Sequence, residues 1–256
     1  MMRIIVTRST ADARAQATRL KALGHEPLVH PLLDIVFPEL SRINFAGIQG
    51  LIVTSRNALR GLRRNTAFAE AQRLPVFCVG EATADLAREY GFAKVVAGEG
   101  TAKELVPLIV QSAEPEAGPL LYVTGQHLAF NLEAPLKKNG FTVPRIIVYE
   151  ARPPSDDAAR RLADALREGV PAVILMSPRT AEIFAGIIKR FKLEGEAAAI
   201  TCYCISDAVA EPLRDIAGLT VAVSSNPTEA DLMELIGPAP FQSRALADLK
   251  EVLGKH

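Results

Sequence analysis

The chain has 256 residues, 49% of them apolar and 23% charged, which is material for two globular domains with buried cores. Lysine plus arginine equals aspartate plus glutamate at 29 each, and tryptophan is absent. This balance argues against nucleic acid and against an acidic membrane surface as partners. Cys78, Cys202 and Cys204 are too few for a disulfide framework, and no apolar run reaches the length of a membrane span. The opening MMRIIVTRST is too short and too soon polar for a signal peptide, so a cytoplasmic protein is expected.

In chain order, residues 3–7 (Arg-Ile-Ile-Val-Thr) predict a buried parallel strand. A helix follows, with Ser9 or Thr10 as its cap and Asp12 in its first turn. Ala15, Leu20 and Leu23 supply an apolar face, and Gly24 ends the helix. Residues 27–36 then read as a second strand, completing a βαβ unit. The pattern recurs with strand 51–53 before Thr54-Ser55-Arg56-Asn57, and with strand 76–79 before Gly80-Glu81-Ala82-Thr83. A short strand at 94–97 precedes a helix opened by the capping box Thr101-x-x-Glu104. Strands alternating with helices imply parallel sheets.

The second half repeats this order. Residues 120–125 match the first strand, and Leu136-Lys137-Lys138-Asn139-Gly140 matches Leu20-Lys21-Ala22-Leu23-Gly24. Residues 173–181 match 51–59, residues 204–210 match 79–84 with a slightly shifted fit, and residues 224–231 match 97–104. Five blocks in one order, at an offset between 116 and 127 residues, mark an internal duplication. A helix from Asp156 to Glu168 closes at Gly169. After Gly237 comes a Pro-Ala-Pro break and a tail, either an appended helix or a disordered end, without a counterpart in the first half.

The residues that follow the strands are candidates for chemistry, because open α/β sheets bind ligands at the carboxyl ends of their strands. Thr7-Arg8-Ser9-Thr10 occupies the place of a dinucleotide-binding Gly-x-Gly-x-x-Gly, which removes a Rossmann dehydrogenase. Gly98-Glu99-Gly100-Thr101 invites a phosphate-loop reading, but a turn followed by a helix cap accounts for it. The four histidines share no ligand spacing with one another or with the cysteines, so no metal is expected. Cys202 and Cys204 alternate on a strand and read as buried packing residues. Ser55 and Ser177 lie outside any Gly-x-Ser-x-Gly elbow, and a helix cap suffices to explain either. Helix N-termini gathered at strand ends offer N–H groups to a ligand bearing several carboxylates or phosphates.

The blocks Ile5-Val6-Thr7-Arg8, Thr54-Ser55-Arg56-Asn57-Ala58, Val79-Gly80-Glu81-Ala82-Thr83-Ala84, Val148-Tyr149-Glu150 and Met176-Ser177-Pro178-Arg179 together resemble the uroporphyrinogen-III synthase family. They span the chain to about Gly237. The resemblance implies an α/β fold of two flavodoxin-like parallel-sheet domains joined by a two-stranded connector, with the site in the interdomain cleft. It places residues 1–34 and 153–237 in one discontinuous domain, 39–146 in the other, 35–38 and 147–152 in the connector, and 238–256 in a tail. It implies a cyclising lyase that closes linear hydroxymethylbilane to uroporphyrinogen III with ring D inverted, as a monomer and without a cofactor. Tyr149 is the implied catalytic residue, assisting departure of the terminal hydroxyl. Because a phenol titrates near pH 10, assistance by a hydrogen bond is expected rather than full proton transfer. Arg8, Thr54, Ser55, Arg56, Gly80, Thr83, Gly125 and Ser177 are the implied substrate-binding residues. Val209 stands where the family often has a threonine, and Pro212 disturbs the helix that follows. A non-catalytic two-domain hinged binding protein for a polyanionic small ligand is the alternative.

Overall fold

The strands form where apolar runs meet turn-forming residues, and they assemble into two parallel sheets. This computed structural model describes residues 1–98, 100, 102–128 and 130–239. The cap expected from Thr101 and the tail beyond residue 239 therefore lie outside the described residues. In chain order the elements begin with β1 (Arg3–Val6), α1 (Thr10–Ala22), β2 (Glu26–Val29), β3 (Asp34–Val36) and β4 (Gly50–Val53). Next come α2 (Arg56–Arg63), α3 (Phe68–Ala71), β5 (Val76–Cys78), α4 (Glu81–Glu89), β6 (Val95–Ala97) and α5 (Ala102–Ser112). The middle of the chain holds β7 (Leu120–Gly125), α6 (Glu133–Lys138), β8 (Arg145–Arg152) and α7 (Asp156–Arg167). The last elements are β9 (Ala172–Leu175), α8 (Pro178–Phe191), α9 (Glu194–Ala197), β10 (Thr201–Cys204), α10 (Asp207–Ala210), β11 (Thr220–Val223) and α11 (Glu229–Ile236).

Contacts divide the chain into two units. The first joins Met1–Asp34 to the chain from Arg152 onward, and the second is Ile35–Ala151. The first unit's sheet has the order β11-β10-β9-β1-β2, which is the 2-1-3-4-5 order of flavodoxin-like folds when its strands are counted along the chain. The second has the order β3-β8-β7-β4-β5-β6. Substituting repeat partners (β7 for β1, β8 for β2, β4 for β9, β5 for β10, β6 for β11) turns one order into the other. The duplicated sheets differ in where the chain enters them. The pair β1–β2 opens the first unit's chain, whereas its counterpart β7–β8 closes the second unit's. One sheet is a circular permutation of the other, with β3 added along β8 at the edge of the second.

Each sheet is buried on both faces, as parallel sheets require. In the first unit Ile5 points with Val173 and Leu175 toward Phe184 and Ile188 of α8, while Ile4 and Val6 point to Leu20 of α1 and Leu232 of α11. In the second, Leu51 and Val53 pack under Leu59 and Leu62 of α2, and Ile52 faces Leu105 and Ile109 of α5. Adjacent residues go to opposite sides because the strand period is two. Cys202 and Cys204 lie fully buried in the first core, where burial pushes the Cys204 thiol up to about 12 and Cys202 well above its ordinary value.

Two local expectations change. The strand expected over residues 27–36 is two strands, because Pro31 interrupts the ladder and the chain turns. The N–H of His30 still reaches the Val6 carbonyl at 3.0 Å, and that of Leu32 reaches the Thr7 carbonyl at 3.0 Å, after which the chain leaves for β3. The buried face of α1 is Ala13, Gln16 and Leu20, with Ala15 exposed, so its apolar stripe runs one residue away from the expected line. Tyr149 sits inside β8, whose span to Arg152 takes in the expected connector segment 147–152, with β3 paired along it.

Candidate functional site

In a parallel sheet all carboxyl ends point the same way, so the loops that follow the strands gather on one side. In the second unit they enclose a cavity of about 500 Å³. Its lining comes from Thr54 and Ser55 after β4, Val79 after β5, Gly100 and Lys103 after β6, Tyr122 and Thr124 on β7, and Tyr149 on β8. His127, Leu128 and Phe130 complete it from the segment after β7. The described lining residues carry five hydroxyls, an ammonium and an imidazole, and none of them is a carboxylic acid.

Ser55 is the N-cap of α2. Its extended backbone (φ −153°, ψ 152°) lets Oγ accept the Ala58 N–H at 3.1 Å, leaving the hydroxyl hydrogen to point elsewhere. It is donated to the phenol oxygen of Tyr149 at 3.1 Å. Gly61 sets the depth of α2 behind this contact. A Cβ there would collide with the Val148 carbonyl oxygen, so the bare glycine lets α2 rest directly on β8 one residue before Tyr149. Thr54 Oγ1 stands 3.4 Å from the Tyr122 hydroxyl, at the long limit for such a contact. Tyr122 and Thr124 project to the same side of β7, and both are buried.

The expected residues fall into three groups. Thr54, Ser55 and Tyr149 line the cavity together. Arg56, Gly80, Thr83 and Gly125 lie in the same unit but outside its lining. Arg56 begins α2, and Gly80 is the extended N-cap of α4, where a Cβ would come within 3.2 Å of the Gly100 Cα. Thr83 is buried in the first turn of α4. Gly125 lies beneath the Tyr149 ring. Arg8 and Ser177 belong to the other unit. There Arg8 donates to Glu229 at 3.0 Å and stands 3.8 Å from Asp12. Ser177 caps α8 in a reciprocal box with Thr180, with nearly the same backbone angles as Ser55 (φ −154°, ψ 150°). The duplication is thus visible in the backbone of these two caps, while the Ser55 hydroxyl meets the Tyr149 phenol and the Ser177 hydroxyl meets Thr180 Oγ1.

Two glycines of the segment after β6 lie among the described residues. The N–H of Gly98 goes to the Cys78 carbonyl at 2.8 Å and that of Gly100 to the Val79 carbonyl at 3.0 Å, so neither is directed at an anion. Among the described residues no group of three or more His, Cys, Asp or Glu is placed to hold a metal ion. Sequence reasoning passed over Lys103, His127, Tyr122 and Phe130. Their place just after β6, or on and after β7, was the available signal, but which of several neighbours points inward depends on the turn.

The family model described as uroporphyrinogen-III synthase HemD matches residues 14–234. Among solved structures, the uroporphyrinogen-III synthetase of Helicobacter pylori 26695 superposes with a TM-score of 0.61 at 18% identity, over 92% of this chain and 98% of that one. A mutant uroporphyrinogen III synthase from the extremely thermophilic bacterium Thermus thermophilus superposes with a TM-score of 0.55 at 18% identity, over 100% of both chains. No curated protein sequence matches. At these identities the superpositions speak to the fold, while the family model covers most of the chain, which therefore belongs to the uroporphyrinogen-III synthase family.

Proposed function

We propose that this chain closes linear hydroxymethylbilane to uroporphyrinogen III with inversion of ring D, and that the terminal hydroxyl departs in the Tyr149 cavity. The family is one of cyclising lyases in tetrapyrrole biosynthesis acting on a small-molecule substrate. The observation that carries the assignment to this cavity is the hydrogen bond from Ser55 to Tyr149, within a lining whose described residues hold hydroxyls and bases but no carboxylic acid.

The chemistry asks for little from the protein beyond position. Carbon–oxygen cleavage releases hydroxide-like oxygen from the terminal methylene, and that oxygen leaves more easily as it gains a hydrogen bond. A phenol that accepts from Ser55 is polarised toward donation, and Tyr149 supplies that donor. The carbon left electron-poor bonds to the terminal pyrrole. For inversion it bonds at the α-carbon that already carries the bridge, and that bridge bond breaks and re-forms at the other α-carbon, whose proton leaves and with the departed hydroxide makes one water. Closure with or without inversion is decided by the geometry in which the linear substrate is held, so positioning dominates. Lys103 and His127 serve the carboxylates of the substrate, and Thr54 and Thr124 shape the wall beside Tyr149.

The remaining expected residues, Arg8, Arg56, Gly80, Thr83 and Ser177, lie outside this lining, and their proposed part in substrate binding stands beside the caps and ion pairs they form. The proposed reaction takes place on a monomer, with a small-molecule substrate and no nucleic-acid partner. No described helix is long and apolar enough to cross a membrane.

The test is direct. Hydroxymethylbilane is generated in situ, the protein is added, and type I and type III uroporphyrins are separated after oxidation. Type III product in excess of the protein is expected. Type I alone, as spontaneous closure gives, would overturn the proposal and favour a binding protein.

A further inference from the structure

We infer that Gly125 is a positioning residue that seats the ring of Tyr149, an inference that rests on the catalytic reading of Tyr149. The β7–β8 register slips between Thr124 and Gly125, which brings Gly125 level with Tyr149. A Cβ at position 125 would lie 2.5 Å from the ring Cζ, 2.8 Å from Cε1 and 2.9 Å from Cε2. The ring thus occupies the volume that any other residue's side chain would take. Gly125 is not among the glycines with positive φ, so its backbone does not itself require glycine.

The backbone here is held on several sides. Arg145 Nη2 donates to the carbonyls of Gly125 and Gln126, each at 2.7 Å, and the Gln126 N–H donates to the Tyr149 carbonyl at 3.1 Å. When a methyl group is added at 125, the ring is therefore the part that moves. The ring bears its hydroxyl on Cζ, the atom the methyl would meet most closely, so movement carries the phenol oxygen off Ser55. The register slip, the bare Cα and the Arg145 clamp act as one device that aims a single hydroxyl.

The experiment is a double-mutant cycle of wild type, Gly125→Ala, Tyr149→Phe and both together, read as kcat and KM for type III product. Gly125→Ala is expected to lower kcat about tenfold with KM changed less than about twofold, since misplacing a reacting group costs rate more than binding. In the Tyr149→Phe background the same change should cost less than about twofold, because there is no hydroxyl left to misplace. An equal loss in both backgrounds would overturn the positioning role while leaving Tyr149 catalytic. Full activity of Tyr149→Phe alone would overturn both. Thermal unfolding supplies a second arm. Gly125→Ala should lower the midpoint or prevent folding, and adding Tyr149→Ala, which empties the ring's volume, should recover it. No recovery would show that the methyl meets something other than the ring and would sink the inference.

Discussion

Tyr149 and Ser55 reach each other through two different kinds of constraint. The serine is fixed by its own helix cap, with Oγ committed to the Ala58 N–H and its hydrogen aimed at the phenol. The tyrosine is fixed by a strand on one side and by Gly125 beneath it. Tyr149→Phe removes only an oxygen from this arrangement and is expected to lower kcat by roughly 10- to 100-fold, the range for losing one assisting donor. Steady-state assay of type III product checks it, and an unchanged kcat would take Tyr149 out of the mechanism. Lys103→Met is expected to raise KM about three- to tenfold with a smaller change in kcat, since an exposed ammonium contributes binding energy of this modest size to a carboxylate. Equal KM values for the two proteins would remove Lys103 from substrate binding. The tyrosine and serine were legible in the sequence through their neighbours. Lys103 was not, because which residue at the start of α5 lines the cavity depends on how the helix is set against the sheet, which no local pattern encodes.

At the scale of elements, the caps and the helix-to-strand contacts carry the site. Gly61 has no special backbone angle, and its value is the absence of a side chain against the Val148 carbonyl. A backbone oxygen cannot rotate away as a side chain can. Gly61→Ala is therefore expected to destabilise the second unit by about 1–3 kcal/mol, the usual range for overpacking, and to draw Ser55 away from Tyr149. Urea denaturation measures the first effect, and an unchanged midpoint would mean that α2 can shift without loss. Ser177→Ala in the first unit removes the hydroxyl that accepts the Thr180 N–H at the cap of α8, and leaves the other half of the box, in which Thr180 Oγ1 accepts the N–H of residue 177. A loss of about 1 kcal/mol in the same assay is expected. Both serines read as caps from sequence alone. The glycine gave no such sign, since its role depends on a strand that lies far along the chain.

For the whole molecule, the two units divide the work of folding and of chemistry differently. The described cavity belongs to the second, while the first holds a histidine that responds to acid. His30 lies at the end of β2, and burial together with the Arg161 guanidinium lowers its pKa below the ordinary 6.5. Below that value the unfolded chain takes up a proton that the folded chain resists. Stability therefore falls as pH drops from about 6.5 toward the folded pKa, and levels off only below it. His30→Gln should flatten this part of the curve, as followed by urea unfolding between about pH 5 and 7. An identical acid slope in the variant would assign the effect to other groups.

The sequence by itself determined the kinds of element, their alternation, the duplication and the strand-end serines, and the resemblance of its motif blocks singled out Tyr149. These depend on local periodicity, cap chemistry and repeated blocks, all of which are carried by neighbouring residues. Only the tertiary structure decided that the second sheet is a circular permutation of the first, because strand order depends on which edges meet rather than on which segments are alike. Only it showed that a register slip brings Gly125 level with Tyr149, and that the bare Cα of Gly125 leaves room for the ring. Those facts arise from pairing across long stretches of chain, where a one-residue slip in register moves a side chain from one place to another.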